Sequence, residues 1–311
     1  MKKLLLTALI GIMFSSNSLF AGNSNNALNE TGININGVCK AISSSPDGYV
    51  YVLTRDKKLI RIDSDGTQTE IIVPLKKEIK SENDYFCDMV VDTKSAYFCA
   101  YSYSSIFVLD LNNPKELKTI KLSYDNKPLN PMTISKTKNG WSLKDFEFRT
   151  FKIDNSGNLC LQPKFSELIL DNNGKPVIME QPKVNPDGTT IFPNKVFDEN
   201  NKEKWVAPTQ QNQATSIEYL GYNSNRKLDF YLVSTSMGEL DVETTVYAVD
   251  KNKEIVASKA IPSCSLDFIM RYCKLASDGS IIAIYASQDN PDEKAVLKRF
   301  EITNNEPSQK G

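Results

Sequence analysis

Histidine is absent from this 311-residue chain. That removes the Ser-His-Asp triad, the Cys-His pair, His-ligated zinc and His-ligated haem. There is also no C-x-x-C and no G-x-G. A zinc ribbon, a thioredoxin-type dithiol and a dinucleotide fingerprint are thereby excluded. No run of apolar residues reaches the 18 or so that a membrane-spanning helix needs. Neither sign of charge is in excess: 37 Lys and Arg stand against 38 Asp and Glu. Nucleic acid is therefore not expected as a partner, since phosphate binding needs clustered Lys and Arg. A mean hydropathy of -0.36 with 40% hydrophobic residues fits a globular protein that does not insert into a membrane.

Residues 1–21 read MKKLLLTALIGIMFSSNSLFA. A basic start, an 11-residue apolar run from Leu4 to Phe14 and a small-residue stretch ending at Ala21 have the form of a secretory signal. Export to the periplasm or the extracellular space is expected, leaving 290 mature residues. Residues 22–32 read as a flexible mature N-terminus and 304–311 as a disordered tail. The six cysteines are Cys39, Cys87, Cys99, Cys160, Cys264 and Cys273. An even number in an oxidising compartment suggests disulfides. Cys87 and Cys99 flank the centre of an expected hairpin symmetrically and are candidates to face each other. Cys264 and Cys273 are further candidates.

A pattern of alternating apolar residues, an acidic residue and then a turn recurs along the chain. It ends at Asp63, Asp110, Asp154, Asp198, Asp250 and Glu301, with spacings of 47, 44, 44, 52 and 51 residues. A second marker precedes it in phase: a turn followed by a β-branched or aromatic run, as in PDGYVYVL from Pro46 and SDGSIIAIYA from Ser277. Each unit reads as four short strands bounded by turn residues. Four-stranded units repeating every 40 to 50 residues or so are the signature of a β-propeller. The mature length divides into six units, with seven the alternative count. The expected fold is all-β, one propeller domain over residues 33–303, with an extra hairpin near 163–185. The last unit lacks a fourth strand, and TGININGV from Thr31 to Val38 alternates well. It is expected to close the ring as that strand and so protect an open edge.

On this rhythm the chain resembles the six-bladed β-propellers that include NHL-repeat, YWTD-like and gluconolactonase-like proteins. The G-H and W-D signatures of WD40 blades and the S-x-D-x-G-x-x-W box of sialidases are absent. The resemblance implies a central channel lined by the first strand of each unit. Counting back from the turns places Asn36, Asp84, Asn130, Glu218 and Asp267 at its mouth. Asn and Asp oxygens suit a hard cation, and gluconolactonase-like lactonases hold calcium on Glu, Asn and Asp. Asp84, Asn130 and Asp267 are the candidate Ca2+ ligands. The acidic turns at Asp63–Gly66, Asp154–Gly157 and Asp171–Gly174 do not match an EF-hand and read as ordinary turns. Tyr101, Tyr103, Trp141, Trp205, Tyr219 and Tyr222 lie near strand ends, where core packing competes with ligand stacking.

Two functions follow. One is an exported, non-catalytic scaffold whose loops bind a protein, peptide or glycan in the cell envelope, with no cofactor. The other is a Ca2+-dependent lactonase, esterase or lyase working at the channel mouth.

Overall fold

The computed structural model describes residues 32–74, 86–137, 140–147, 149–153, 159–161, 169–170, 176–177, 183–184, 190–191, 195–197, 203–208, 215–236, 242–263, 267–290, 292 and 294–303. The expected signal at residues 1–21, the turns at Asp154 and Asp171, and residues 304–311 lie outside them. So do Asp84 and Cys264.

The chain opens with β1 (Ile33–Asn36) and then builds four-stranded antiparallel sheets in succession. The first holds β2 (Cys39–Ser44), β3 (Val50–Thr54), β4 (Lys58–Ile62) and β5 (Gln68–Ile72). The second holds β6 (Phe86–Val91), β7 (Ser95–Ala100), β8 (Ser105–Asp110) and β9 (Leu117–Lys121). A two-stranded pairing of β10 (Ser123–Tyr124) with β11 (Lys127–Pro128) separates it from the third sheet. That sheet is β12 (Pro131–Thr137), β13 (Gly140–Asp145), β14 (Thr150–Ile153) and β15 (Leu159–Leu161). Next come the short pair β16 (Ile169–Leu170) and β17 (Pro176–Val177), within the expected extra hairpin.

The fourth sheet is β18 (Lys183–Val184), β19 (Thr190–Ile191), β20 (Lys195–Phe197) and β21 (Glu203–Val206). The fifth is β22 (Thr215–Asn223), β23 (Leu228–Ser236), β24 (Val242–Val249) and β25 (Ile255–Ile261). The sixth holds β26 (Phe268–Leu275), β27 (Ile281–Ser287) and β28 (Lys294–Phe300), and its fourth strand is β1. This is a β-propeller: each sheet is a meander, and the first strands β2, β6, β12, β22 and β26 approach one another around an axis.

The N-terminal strand completes the last sheet as expected. Ile33 pairs with Leu297 and Asn36 with Lys294. Gly37, at φ 105°, then turns the chain from the outside of the sixth sheet to the inside of the first. A side chain there would be strained in the left-handed region.

Where described sheets pack on a neighbour, both faces are apolar, so middle strands lose their alternation. All five residues of β3 and all seven of β27 are buried. Separate apolar clusters fill the junctions. Ile35, Ile42, Val52, Ile60, Ile284 and Leu297 join the sixth sheet to the first. Leu53, Leu59, Met89, Phe98 and Leu109 join the first to the second. Others join the second to the third, the fourth to the fifth and the fifth to the sixth.

The acidic repeat also has a physical cause. Asp110 and Asp250 close the turn after the third strand of their sheets by accepting the N–H groups of Asn112 and Asn252, at 2.9 and 2.8 Å. Asp65 does the same for Thr67 at 2.9 Å. These carboxylates satisfy turn amides, as Asx turns do.

Ile35 is 2% exposed and sits in the junction between the sixth and first sheets, whereas its neighbour Asn34 is exposed. Ile35→Ala is expected to cost about 2–4 kcal/mol of unfolding free energy. Asn34→Ala should change it by less than about 0.5 kcal/mol. Urea denaturation of the mature chain checks both, and equal midpoints for the two variants would contradict the closure.

Candidate functional site

Five of the innermost strands share a feature that simple alternation does not reveal. Their pairing with the next strand skips one residue, at Lys40 on β2, Cys87 on β6, Met132 on β12, Leu220 on β22 and Arg271 on β26. Each is a β-bulge, which twists the strand and re-aims the side chains beside it.

Hydrogen bonds tie these strands to one another around the axis. Ser44 Oγ donates to the Leu275 carbonyl at 2.7 Å, linking the first sheet to the sixth. The Val91 N–H donates to Ser43 Oγ at 3.0 Å, linking the second to the first. The Ile134 N–H donates to Asp88 Oδ2 at 2.9 Å, linking the third to the second. The Cys87 thiol reaches the Pro131 carbonyl at 3.3 Å across the same junction. Asn223 Nδ2 donates to the Ser277 carbonyl at 3.0 Å between the fifth and sixth sheets.

Asp88 is the charged group at the centre of this belt, and the sequence reading missed it. Burial pushes its carboxyl above the usual carboxylate range. Lys274 on β26 and the N–H groups of Ile134 and Met89 oppose that rise, and Glu218 on β22 adds to it. Asp88, Glu218 and Lys274 thus share one field across three innermost strands.

The five expected mouth residues do not form one set. Asn36 is corrected: it lies on the outermost strand of the sixth sheet, exposed and opposite Lys294. It ends the closing strand instead of beginning an inner one, because Gly37 makes the turn between them. Asn130 and Asp267 stand immediately before β12 and β26, both exposed. Asn130 Oδ1 accepts a hydrogen bond from Ser104 Oγ at 2.7 Å, and the Asp267 carbonyl accepts the Gln288 N–H at 2.8 Å. Glu218 is half-buried within β22. Asp84 lies outside the described residues. Among the described residues no three His, Cys, Asp or Glu side chains gather as a metal cage.

The described cysteines carry free thiols. Cys87 and Cys99 do meet across β6 and β7: the Cys87 thiol lies 3.5 Å from the Cys99 carbonyl, and Asp88 is the residue registered with Cys99. Cys273 is buried between the fifth and sixth sheets. Most of the singled-out aromatics with described side chains are core. Trp205 stacks on Tyr231 at 4.7 Å, Tyr219 donates to Asp229 Oδ1 at 2.7 Å, and Tyr103 packs edge-on against Phe107. Tyr222, 56% exposed, remains at the surface.

Beside Asn130 is an open cleft of about 490 Å³. Its walls include Tyr103, Ser104, Lys121, Leu122, Asn126 and Lys127. The β10–β11 turn forms one wall, with Asp125 and Asn126 at φ 52° and 58°, the left-handed pair a tight hairpin turn needs. Leu122 N–H to the Ser104 carbonyl, at 2.8 Å, pins that hairpin to the Tyr101–Tyr103 turn.

No protein-family model and no curated protein matches the chain. Solved β-propellers do resemble it. The WD40 β-propeller domain of Doa1 is 14% identical, with 87% of this chain and 95% of that one covered and a TM-score of 0.45. A gluconolactonase-like protein is 10% identical, with 90% and 96% covered and a TM-score of 0.47. Hsv2 of Kluyveromyces lactis is 11% identical, with 87% and 98% covered and a TM-score of 0.46.

The raised Asp88 carboxyl has a consequence for stability. A carboxyl that ionises less readily in the folded chain contributes stability that is fully present below the unfolded pKa. That stability is lost as pH rises through the folded value. Asp88→Asn keeps an oxygen for the Ile134 N–H and removes the buried charge. Its melting temperature is expected to exceed that of the parent at neutral pH, with the gap closing as pH falls below the ordinary carboxylate range. A variant less stable than the parent at every pH would contradict this.

Proposed function

We propose that the chain is exported and acts as a non-catalytic binding scaffold in the cell envelope. In this reading the six sheets close as a six-bladed ring, and its mouth face takes a protein, peptide or glycan. The observation that carries it is the cleft between the second sheet and the β10–β11 hairpin. Its volume lies in the range of about 300–1,000 Å³ typical of ligand pockets. It combines the Tyr103 ring, the Ser104 hydroxyl, the Asn126 amide and the ammonium groups of Lys121 and Lys127. That mixture suits peptide carbonyls or sugar hydroxyls. Within the fold, Asp88 Oδ2 accepts the Ile134 N–H and Asn130 Oδ1 accepts the Ser104 hydroxyl.

The test is binding of the mature chain to immobilised envelope glycans and to envelope proteins. Saturable binding that weakens at least about tenfold in Lys121→Glu/Lys127→Glu, with the fold unchanged, is expected. Turnover of a lactone or ester panel that EDTA abolishes and Ca2+ restores would replace this reading with the hydrolase.

Export also implies an oxidising compartment, where Cys87 and Cys99 would join, giving two protons and two electrons to a disulfide oxidant. Peptide mapping of the secreted chain without reduction should recover their two peptides linked. Alkylation of both thiols would contradict export or the pairing.

A further inference from the structure

The cleft beside Asn130 carries charge of one sign. Lys121 ends β9 and Lys127 lies on β11; both are exposed and both line the cleft. None of its described lining residues is Asp or Glu. Asp125, two residues before Lys127, stands in the hairpin turn and is not one of them. Ser104, Ser123 and Asn126 add two hydroxyls and an amide.

Both walls are held in place by the fold. At the base of the hairpin Leu122 and Leu129 are buried, and the Leu129 N–H donates to the Leu122 carbonyl at 3.1 Å. The Tyr124 ring meets Phe151 of the third sheet edge-on, with centroids 5.0 Å apart, and the Arg149 guanidinium lies over it at 5.8 Å. On the side of the second sheet, half-buried Tyr103 packs against Phe107 at 5.9 Å, and Lys121 is registered with buried Ser105. Walls fixed in advance lower the ordering cost of binding.

An ammonium on the second sheet and another on the hairpin select an anionic ligand over a neutral or basic one. A peptide would in addition need an apolar pocket for an anchoring side chain. Leu122 is turned into the core at 3% exposure, which leaves only Tyr103 and Pro128 as apolar wall. A sugar ring needs less: one aromatic surface, with hydroxyls and amides around it to meet its own hydroxyls. In a chain of sugar acids the carboxylates recur from residue to residue, so lysines on separate elements can each meet one by a charge-assisted hydrogen bond. We propose that this cleft binds an acidic glycan, its uronate carboxylates meeting Lys121 and Lys127 and a sugar ring lying on Tyr103. The inference rests on the scaffold reading and narrows its ligand to one class.

Isothermal titration of the mature chain at low salt tests the proposal with three probes: oligogalacturonate, the same oligomer with its carboxyl groups reduced to alcohols, and poly-L-glutamate. Saturable binding of oligogalacturonate is expected, with the reduced oligomer and poly-L-glutamate each at least about tenfold weaker. Lys121→Gln/Lys127→Gln should weaken oligogalacturonate binding at least about tenfold, through the loss of its charge-assisted hydrogen bonds. Lys115→Gln/Lys118→Gln removes the same charge from exposed positions on the same sheet outside the cleft, and should change it by less than about twofold. All four lysines are exposed, so both variants are expected to fold. No saturable binding of oligogalacturonate overturns the proposal, as does equal loss in the two double variants, which would reduce the effect to net charge. Equal binding of the reduced oligomer would make the ligand a neutral glycan, and equal or tighter binding of poly-L-glutamate would make it an acidic peptide. Each of these outcomes overturns the inference and leaves the scaffold reading standing. That reading fails in a different assay, by metal-dependent turnover of the lactone and ester panel.

Discussion

The fold depends on the pairing of its first strand with its last. Without β1, the outer edge of β28 would present unpaired N–H and C=O groups to water and to other chains. With it, Ile33 to Asn36 pair with Leu297 to Lys294, and Ile35 drops into the cluster that joins the sixth sheet to the first. Two distant parts of the sequence are thereby locked together, and the same few residues then lead through Gly37 into the innermost strand of the first sheet.

Around the axis, the structure uses side chains to hold backbones. Ser43, Ser44, Asp88 and Asn223 each bond a main-chain group of a neighbouring sheet. Polar groups near an axis satisfy one another this way, since an unpaired buried donor or acceptor is costly. Of the oxygens expected to face a ligand, that of the Asn130 side chain is engaged, on Ser104, while Asn36 and Asp267 stay exposed.

Much of the architecture was legible in the amino-acid sequence. The acidic positions at Asp110 and Asp250 recur because each closes a turn with its carboxylate, so the period is written in turn chemistry. The alternation in TGININGV marked a strand with one buried face, and its missing partner was countable at the other end. The site was less legible. One extra residue on an innermost strand shifts every later side chain to the other face. Nothing in the local sequence around Cys87 or Arg271 announces a bulge, and Asp88 lies inside β6 instead of ahead of its start, so it escaped notice. Asn36 was misplaced for a different reason: the same segment had been counted as both a closing strand and a channel strand, and Gly37 separates the two. Asn130 and Asp267 stand just ahead of β12 and β26.

Hydrogen exchange at the β1 amides tests the central claim most directly, since opening of a strand is read there without perturbing the chain. If β1 closes the fold, the amides of β1 that bond to β28 exchange only through global unfolding, as slowly as those of β27. Exchange of β1 at the rate of a frayed terminus, while β27 stays protected, would contradict the account and make the last sheet three-stranded in solution.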